Sequence, residues 1–475
     1  MRRLLQKFNS LPAGVKASVA FFFANVITSG ISYIVTPIYT RLLTPEVYGQ
    51  TSVFLTWVQI FGIVAMFCLS YGVFNNGMID HPEKRDEFSF SMLILSNVIT
   101  VIFSVILLLA YPLVQHVLGI DFPLIVLLCL LFVFQPAYNF WTARQRYELK
   151  YKQTVLWTIV SALASPLVAI LCILIWQDDQ LYARLFGAEL SLIAIYIGFY
   201  FYLAQKSRWR VEIKYWKAAI LFNLPLIPHY LSTYLLGNSN TLLISHIIGD
   251  TAVAYYSVAQ SVATIILLVW GAINSSLVPY TYEKCQKKDY SALSRVISPI
   301  LTAFAAVCVL ATMFAPEVVA IMATADYMEA IYVIPPIVGG IFFQVQYYVY
   351  ANVVYYYKKP KYVMFASVTS VVLNFVLGYL LISRFGYLAA GYATLISYFI
   401  QATLDYFAMK KVVREPVYNM RYTGLLSLLV IGVALISNLL YDLPWIRYGI
   451  VLLLLAACFM LRKRIVGIIR EVRNK

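Results

Sequence analysis

"RLLTPEVYGQTSVFLTWVQI", Arg41–Ile60, sets a charged, proline-containing turn between two long apolar runs and then spaces Ser52, Thr56 and Gln59 along the second of them. The spacing is i, i+4, i+7, which is one face of a helix. Each flanking run is long enough to cross roughly 30 Å of hydrocarbon, which takes about 20 residues of helix. The stretch therefore reads as the outer turn between two membrane spans, the second of them carrying a polar stripe.

Shifting the chain by 205 residues lays "HIIGDTAVAYYSVAQSVATI", His246–Ile265, over the same stretch. Ser52 then meets Ser257, Thr56 meets Ser261, Gln59 meets Thr264, and further on Ser70 meets Ser275. A second echo pairs "YELKYKQ", Tyr147–Gln153, with "YYKKPKY", Tyr356–Tyr362. Internal repeats of this kind mark transporters. The implied plan is two six-helix lobes of parallel topology, residues 1–206 and 207–416. Residues 417–475 add a helical pair and a basic tail.

The whole chain agrees with a membrane solvent. Of its 475 residues 62% are hydrophobic and 12% charged, against about half and a quarter in soluble domains. Apolar runs between breaks of Pro, Gly and charge give fourteen spans, near 16–40, 47–77, 88–116, 122–146, 153–176, 181–205, 218–246, 251–282, 291–323, 328–357, 361–383, 387–411, 422–441 and 446–464. The expected fold class is an all-α polytopic membrane protein. The first run is too long for a signal-peptide core and stays as a span. Cys68, Cys129, Cys172, Cys285, Cys308 and Cys458 show no C-x-x-C pair and read as packing residues, not metal ligands.

Charge fixes the expected orientation. Arg41, Arg184, Arg384 and Arg447 are the four of the 36 lysines and arginines on one side, and the remaining thirty-two lie on the other. The positive-inside rule then puts both termini in the cytoplasm. The net charge of +15 is thus a topology signal and a contact with anionic lipid; no nucleic-acid partner is expected.

At "TPIYTRLLTPEVYGQTSVFLT", Thr36–Thr56, the chain resembles the polysaccharide transporter branch of the multidrug/oligosaccharidyl-lipid/polysaccharide exporter superfamily, in the residues Pro37, Thr40, Arg41, Leu42, Leu43, Pro45, Glu46, Tyr48 and Gly49. "LPLIPHYLS" from Leu224 and "LLISHIIGDTAVAYYSVAQ" from Leu242 look similar to the opening of that family's second lobe. The resemblance implies flipping of an undecaprenyl-diphosphate-linked oligosaccharide from the cytoplasmic to the outer leaflet of the bacterial inner membrane, for O-antigen or capsule synthesis. It also implies a V-shaped cavity between lobes, worked by a rocker switch. Two positions depart from the pattern. An Asp-Arg pair expected late in span 7 is Asn240–Thr241, and the Arg-Asp pair of the lipid II flippase branch falls on Val35–Thr36. The resemblance therefore carries no ion coupling through such pairs.

Moving sugars through hydrocarbon explains a polar lining, since each unpartnered hydroxyl costs about 4–8 kcal/mol. Candidate path residues are Ser52, Thr56 and Gln59 on span 2, His229, Thr233 and Asn240 on span 7, Ser257, Ser261, Thr264 and Asn274 on span 8, and Gln344, Tyr348 and Asn352 on span 10. For the last three, interhelical hydrogen bonding is the competing role. Tyr355–Tyr357, beside Lys358, Lys359 and Lys361, read as an interfacial aromatic belt. A diphosphate needs cations, and Arg41, Arg144, Arg184 and Arg384 qualify by position, the first three being taken as path candidates. No cofactor is expected; the driving force is H+, Na+ or the membrane potential alone. The chain is expected to act as a monomer, with a polymerase and chain-length proteins of the same pathway as partners.

Two other readings compete. A cation-coupled multidrug exporter shares the twelve-helix core, but Glu189 and Asp405 are among the few buried acids available to it. A membrane polysaccharide polymerase or glycosyltransferase needs a sizeable outward loop, and every outward loop here is short.

Overall fold

The computed structural model describes residues 13–456; Cys458, the expected end of the last span and the basic C-terminal tail lie outside the described residues. Among the described residues every regular element is a helix. Twelve helices are long and apolar enough to cross a membrane, so the chain is a multi-pass membrane protein. It divides into two compact units.

The first unit takes residues up to Leu43 and then Val53–Leu231. Its helices are α1 (Ala13–Leu42), α2 (Pro45–Ala65), α3 (Gly72–Asp80), α4 (Arg85–Leu109), α5 (Tyr111–Leu118), α6 (Phe122–Tyr147), α7 (Tyr151–Ile175), α8 (Gln180–Lys206) and α9 (Trp216–Asn223). Leu124, Leu128 and Phe132 of α6 fill one core with Leu185 and Ile193 of α8. Phe74, Phe88, Phe140 and Trp141 form a second core that includes Phe199.

The expected continuous span 47–77 is two helices. Phe67 and Cys68 adopt left-handed backbone, φ 55° and 49°, which an α-helix of L-residues excludes. The carbonyls released by the break find side chains. Thr100 Oγ1 donates to Ala65 O (3.1 Å), and Asn223 Nδ2 donates to Phe67 O (2.9 Å). Other expected spans break at proline, which lacks the N–H that continues a helix. Pro112 stands in the first turn of α5, and Pro225 within the short 3-10 turn Leu224–Leu226.

The second unit takes Thr44–Ser52 and the chain from Ser232. It holds most of α10 (Ile227–Ile247), then α11 (Asp250–Gln286), α12 (Tyr290–Met313), α13 (Ala315–Met322), α14 (Ile334–Tyr356), α15 (Pro360–Phe385), α16 (Leu388–Val413) and α17 (Met420–Leu440). A shorter apolar helix, α18, spans Pro444–Ala456. α14 is the central helix, its side chains buried almost from end to end. Small residues let α16 close on it: Gly340 faces the Leu395 backbone, and Gly391 faces Pro336 and the Val333 carbonyl. Close approach of small residues is how membrane helices bind one another.

Two of the fourteen expected spans stand apart from the twelve apolar helices. One is α16, as long as its neighbours but carrying Thr394, Ser397, Gln401 and Asp405, all buried. It spends its polar residues inside the unit and not on lipid. The other is the last, of which only α18 lies within the described residues. Cys68, Cys129, Cys172, Cys285 and Cys308 are free and buried or half-buried.

The two stretches matched by the 205-residue shift meet inside the second unit. Gly49 packs directly on the Asp250 carbonyl oxygen, with the Ala254 nitrogen 3.3 Å from where a Cβ would stand. Ala254 is the repeat counterpart of Gly49. Around this contact Tyr327 receives Tyr48 and Tyr255 edge-on, with centroids at 6.0 and 6.2 Å.

Candidate functional site

A hydroxyl on a membrane helix can satisfy itself by donating to the carbonyl one turn back. The stripes on α2 and α11 are built that way. Ser52 Oγ donates to Tyr48 O (3.0 Å), Ser261 Oγ to Ser257 O (2.9 Å) and Thr264 Oγ1 to Gln260 O (2.9 Å). On α2, Ser52 is half-buried, Thr56 buried and Gln59 exposed; on α11, Ser257 and Ser261 are half-buried and Thr264 exposed. The aligned pair Gln59 and Thr264 is therefore uncovered in both units.

The first unit adds a stripe that the sequence reading passed over. Asn25, Thr28, Ser32 and Thr36 of α1 follow one another at i, i+3, i+7, i+11, with Asn25 and Ser32 exposed. Thr28 donates to Asn25 O (3.0 Å), Ser32 to Thr28 O (3.2 Å) and Thr36 to Ser32 O (3.0 Å). The signal was the same helical spacing, masked by the run Phe21–Phe23 just before it.

The arginines divide. Arg41 is exposed, and its Nη1 donates to Pro37 O (2.7 Å). Arg184 lies with its guanidinium 3.9 Å from the centroid of the Tyr39 ring, its buried Nε without a hydrogen-bond partner. Glu189, buried on the same helix, is within its electrostatic reach. Arg144 is held by two carboxylates, Asp86 and Glu148, the latter at 2.9 Å. Burial pushes the Glu148 carboxyl up, but hydrogen bonds from Lys150 and Arg144 outweigh it and hold the group below the ordinary carboxylate range. Arg144 therefore already has its anions.

His229, in the first unit, and Thr233, in the second, are exposed at the start of α10. Asn240 is buried, and its Nδ2 donates to Thr394 Oγ1 (2.8 Å) and Ala390 O (3.1 Å). It ties α10 to α16. One turn away Asn374 Nδ2 donates to Ser239 Oγ (2.9 Å). Asn352 Nδ2 donates to Asn274 Oδ1 (2.9 Å), so two candidate residues from different spans are brought together. Gln344 and Tyr348 are half-buried, the Tyr348 ring tilted against that of Tyr347 with centroids 4.3 Å apart. The buried glutamine of this helix is Gln346, bonded to Ser427 Oγ (2.8 Å). Among the described residues no group of three or more His, Cys, Asp or Glu side chains is placed to hold a metal ion.

A family model described as "Polysaccharide biosynthesis protein" matches residues 15–285 of the chain. The chain belongs to that family. A second model, MatE, matches residues 225–380. "Lsg locus putative protein 1" of Haemophilus influenzae is 26% identical over 118 residues, which cover 24% of this chain and 29% of that one. The solved lipid II flippase MurJ, in an inward closed conformation, superposes with a TM-score of 0.64 at 14% identity, covering 95% of this chain and 100% of that one. An inward-facing multidrug resistance MATE transporter of the MOP superfamily gives 0.59 at 14% identity, covering 84% and 95%. The chain thus shares the helical fold of these two proteins.

Proposed function

We propose that this protein is a flippase that carries an undecaprenyl-diphosphate-linked oligosaccharide repeat unit from the cytoplasmic to the outer leaflet of a bacterial inner membrane, by alternating access. The family match to polysaccharide biosynthesis supports the substrate class, and the excess of basic residues on one side supports cytoplasmic termini. The observation that carries the reading is the set of uncovered polar side chains on membrane-length helices in each unit: Asn25, Ser32 and Gln59 in one, Thr264 in the other. Lipid tails offer such groups nothing, and a hydroxyl without a partner in hydrocarbon costs about 4–8 kcal/mol. The Ser32 and Thr264 hydroxyls donate to their own helices, which leaves their lone pairs and the exposed amides of Asn25 and Gln59 to bond a passing sugar.

The membrane potential alone is a sufficient drive. An interior-negative potential favours outward movement of each negative charge by about 2.3 kcal/mol per 100 mV, and a diphosphate carries two. A second reading, a cation-coupled multidrug exporter, draws on the MatE match over residues 225–380. Deleting the gene separates the two. The flippase reading expects lipid-linked repeat units to accumulate on the cytoplasmic leaflet while surface polymer falls to background. Unchanged surface polymer, in a strain without a related flippase, together with new drug sensitivity would reject it.

A further inference from the structure

α15 begins and α16 ends at the same edge of the second unit, and a surface groove runs between them. Lys361 and Lys411 stand at its mouth, each over the ring of Tyr362, at 5.4 and 5.3 Å from the ring centroid. Two ammonium groups are thus gathered on one tyrosine, and neither makes an ion pair among the described residues. Asp405 on the same helix does not neutralise them, since it is fully buried and neither of its oxygens has a hydrogen-bond partner. Like charges brought together in this way form a site for an anion.

The rest of the groove says which kind of anion. Phe365 lies one turn in from Lys361; Phe407 and Leu404 lie one and two turns in from Lys411, each turn being about 5.4 Å. Phe365 is 64% and Phe407 57% exposed, so the walls open sideways toward hydrocarbon. A free phosphate would use only the mouth. An amphiphile with a phosphate at one end and a chain at the other uses all of it.

We propose that this groove binds an anionic glycerophospholipid of the bilayer, its phosphate between Lys361 and Lys411 and an acyl chain along Phe365, Leu404 and Phe407. The site opens to the surrounding bilayer, where such lipid is the abundant anion, and it does not depend on what the protein transports. The test uses full-length protein in nanodiscs made from equal parts of phosphatidylglycerol and phosphatidylcholine with matched chains. Lipid retained after mild extraction is read by native mass spectrometry. Wild type is expected to keep phosphatidylglycerol selectively. The Lys361→Gln/Lys411→Gln variant is expected to lose that selectivity by roughly thirtyfold, since each of the two lysines beside the bound phosphate contributes about 1 kcal/mol. Lys358→Gln/Lys359→Gln, on the same basic turn but outside the groove, is expected to stay within about twofold of wild type, since neither lysine touches a lipid held there. Equal losses in both variants would overturn the site in favour of a general basic belt. Displacement of phosphatidylglycerol by an equimolar amount of undecaprenyl phosphate would overturn the assigned occupant, making the groove a site for the carrier.

Discussion

At the scale of single residues, what matters most is who partners the polar atoms. Asn240 and Asn352 were both expected on a transport path, and each proves to be tied to a side chain of another helix. Gln59 and Thr264 lie uncovered at matching places in the repeat. Sequence spacing gives the face of a helix but not its neighbour, so it proposed all four alike. Gly49 shows the opposite case, a residue whose role is the absence of a side chain. Its Cα rests against the Asp250 carbonyl, and backbone cannot swing aside as a side chain can. Gly49→Ala is expected to lower the thermal midpoint of the purified protein by the equivalent of about 1–3 kcal/mol, the usual cost of overpacking. Gly271→Ala, whose new methyl meets nothing within 4 Å, is the control. An unchanged midpoint in Gly49→Ala would show that the contact between the repeat stretches is loose.

At the scale of elements, the long apolar helices and their order were legible because hydrocarbon thickness sets span length. Breaks inside spans at Pro112 and Pro225 were signalled by the proline itself, although the expected spans ran through both. The break between α2 and α3 was not, because neither Phe67 nor Cys68 advertises left-handed backbone. Tertiary hydrogen bonds hold it, and the residue that reaches furthest along the chain to do so is Asn223. Asn223→Ala leaves the Phe67 carbonyl without that donor. The expected result is a loss of about 1–3 kcal/mol, the desolvation cost of an unsatisfied buried group, read as a lower thermal midpoint. No change would mean that α3 is held by its aromatic core alone. The polar character of α16 was visible in the sequence, yet its place beside α14 depends on Gly340 and Gly391 facing their partners, which one chain's pattern does not reveal.

At the scale of the whole molecule, a chain with 62% hydrophobic residues encloses a buried polar seam in its second unit and leaves single polar residues uncovered on α1, α2 and α11. The first is a packing device: Asn240 bonds Thr394 and Asn374 bonds Ser239, two ties that join three helices. The second is what the transport account rests on. Leucine is welcome in any membrane helix that faces lipid, so replacing Gln59 and Thr264 by leucine separates lipid contact from substrate contact. The decisive measurement is flipping of an undecaprenyl-diphosphate-linked oligosaccharide in proteoliposomes containing the Gln59→Leu/Thr264→Leu variant, alongside its thermal midpoint. The account predicts a flipping rate reduced about tenfold or more, because each lost partner leaves a sugar hydroxyl unsatisfied, with the midpoint unchanged or raised. A rate equal to wild type would contradict the claim that these faces carry the sugars across.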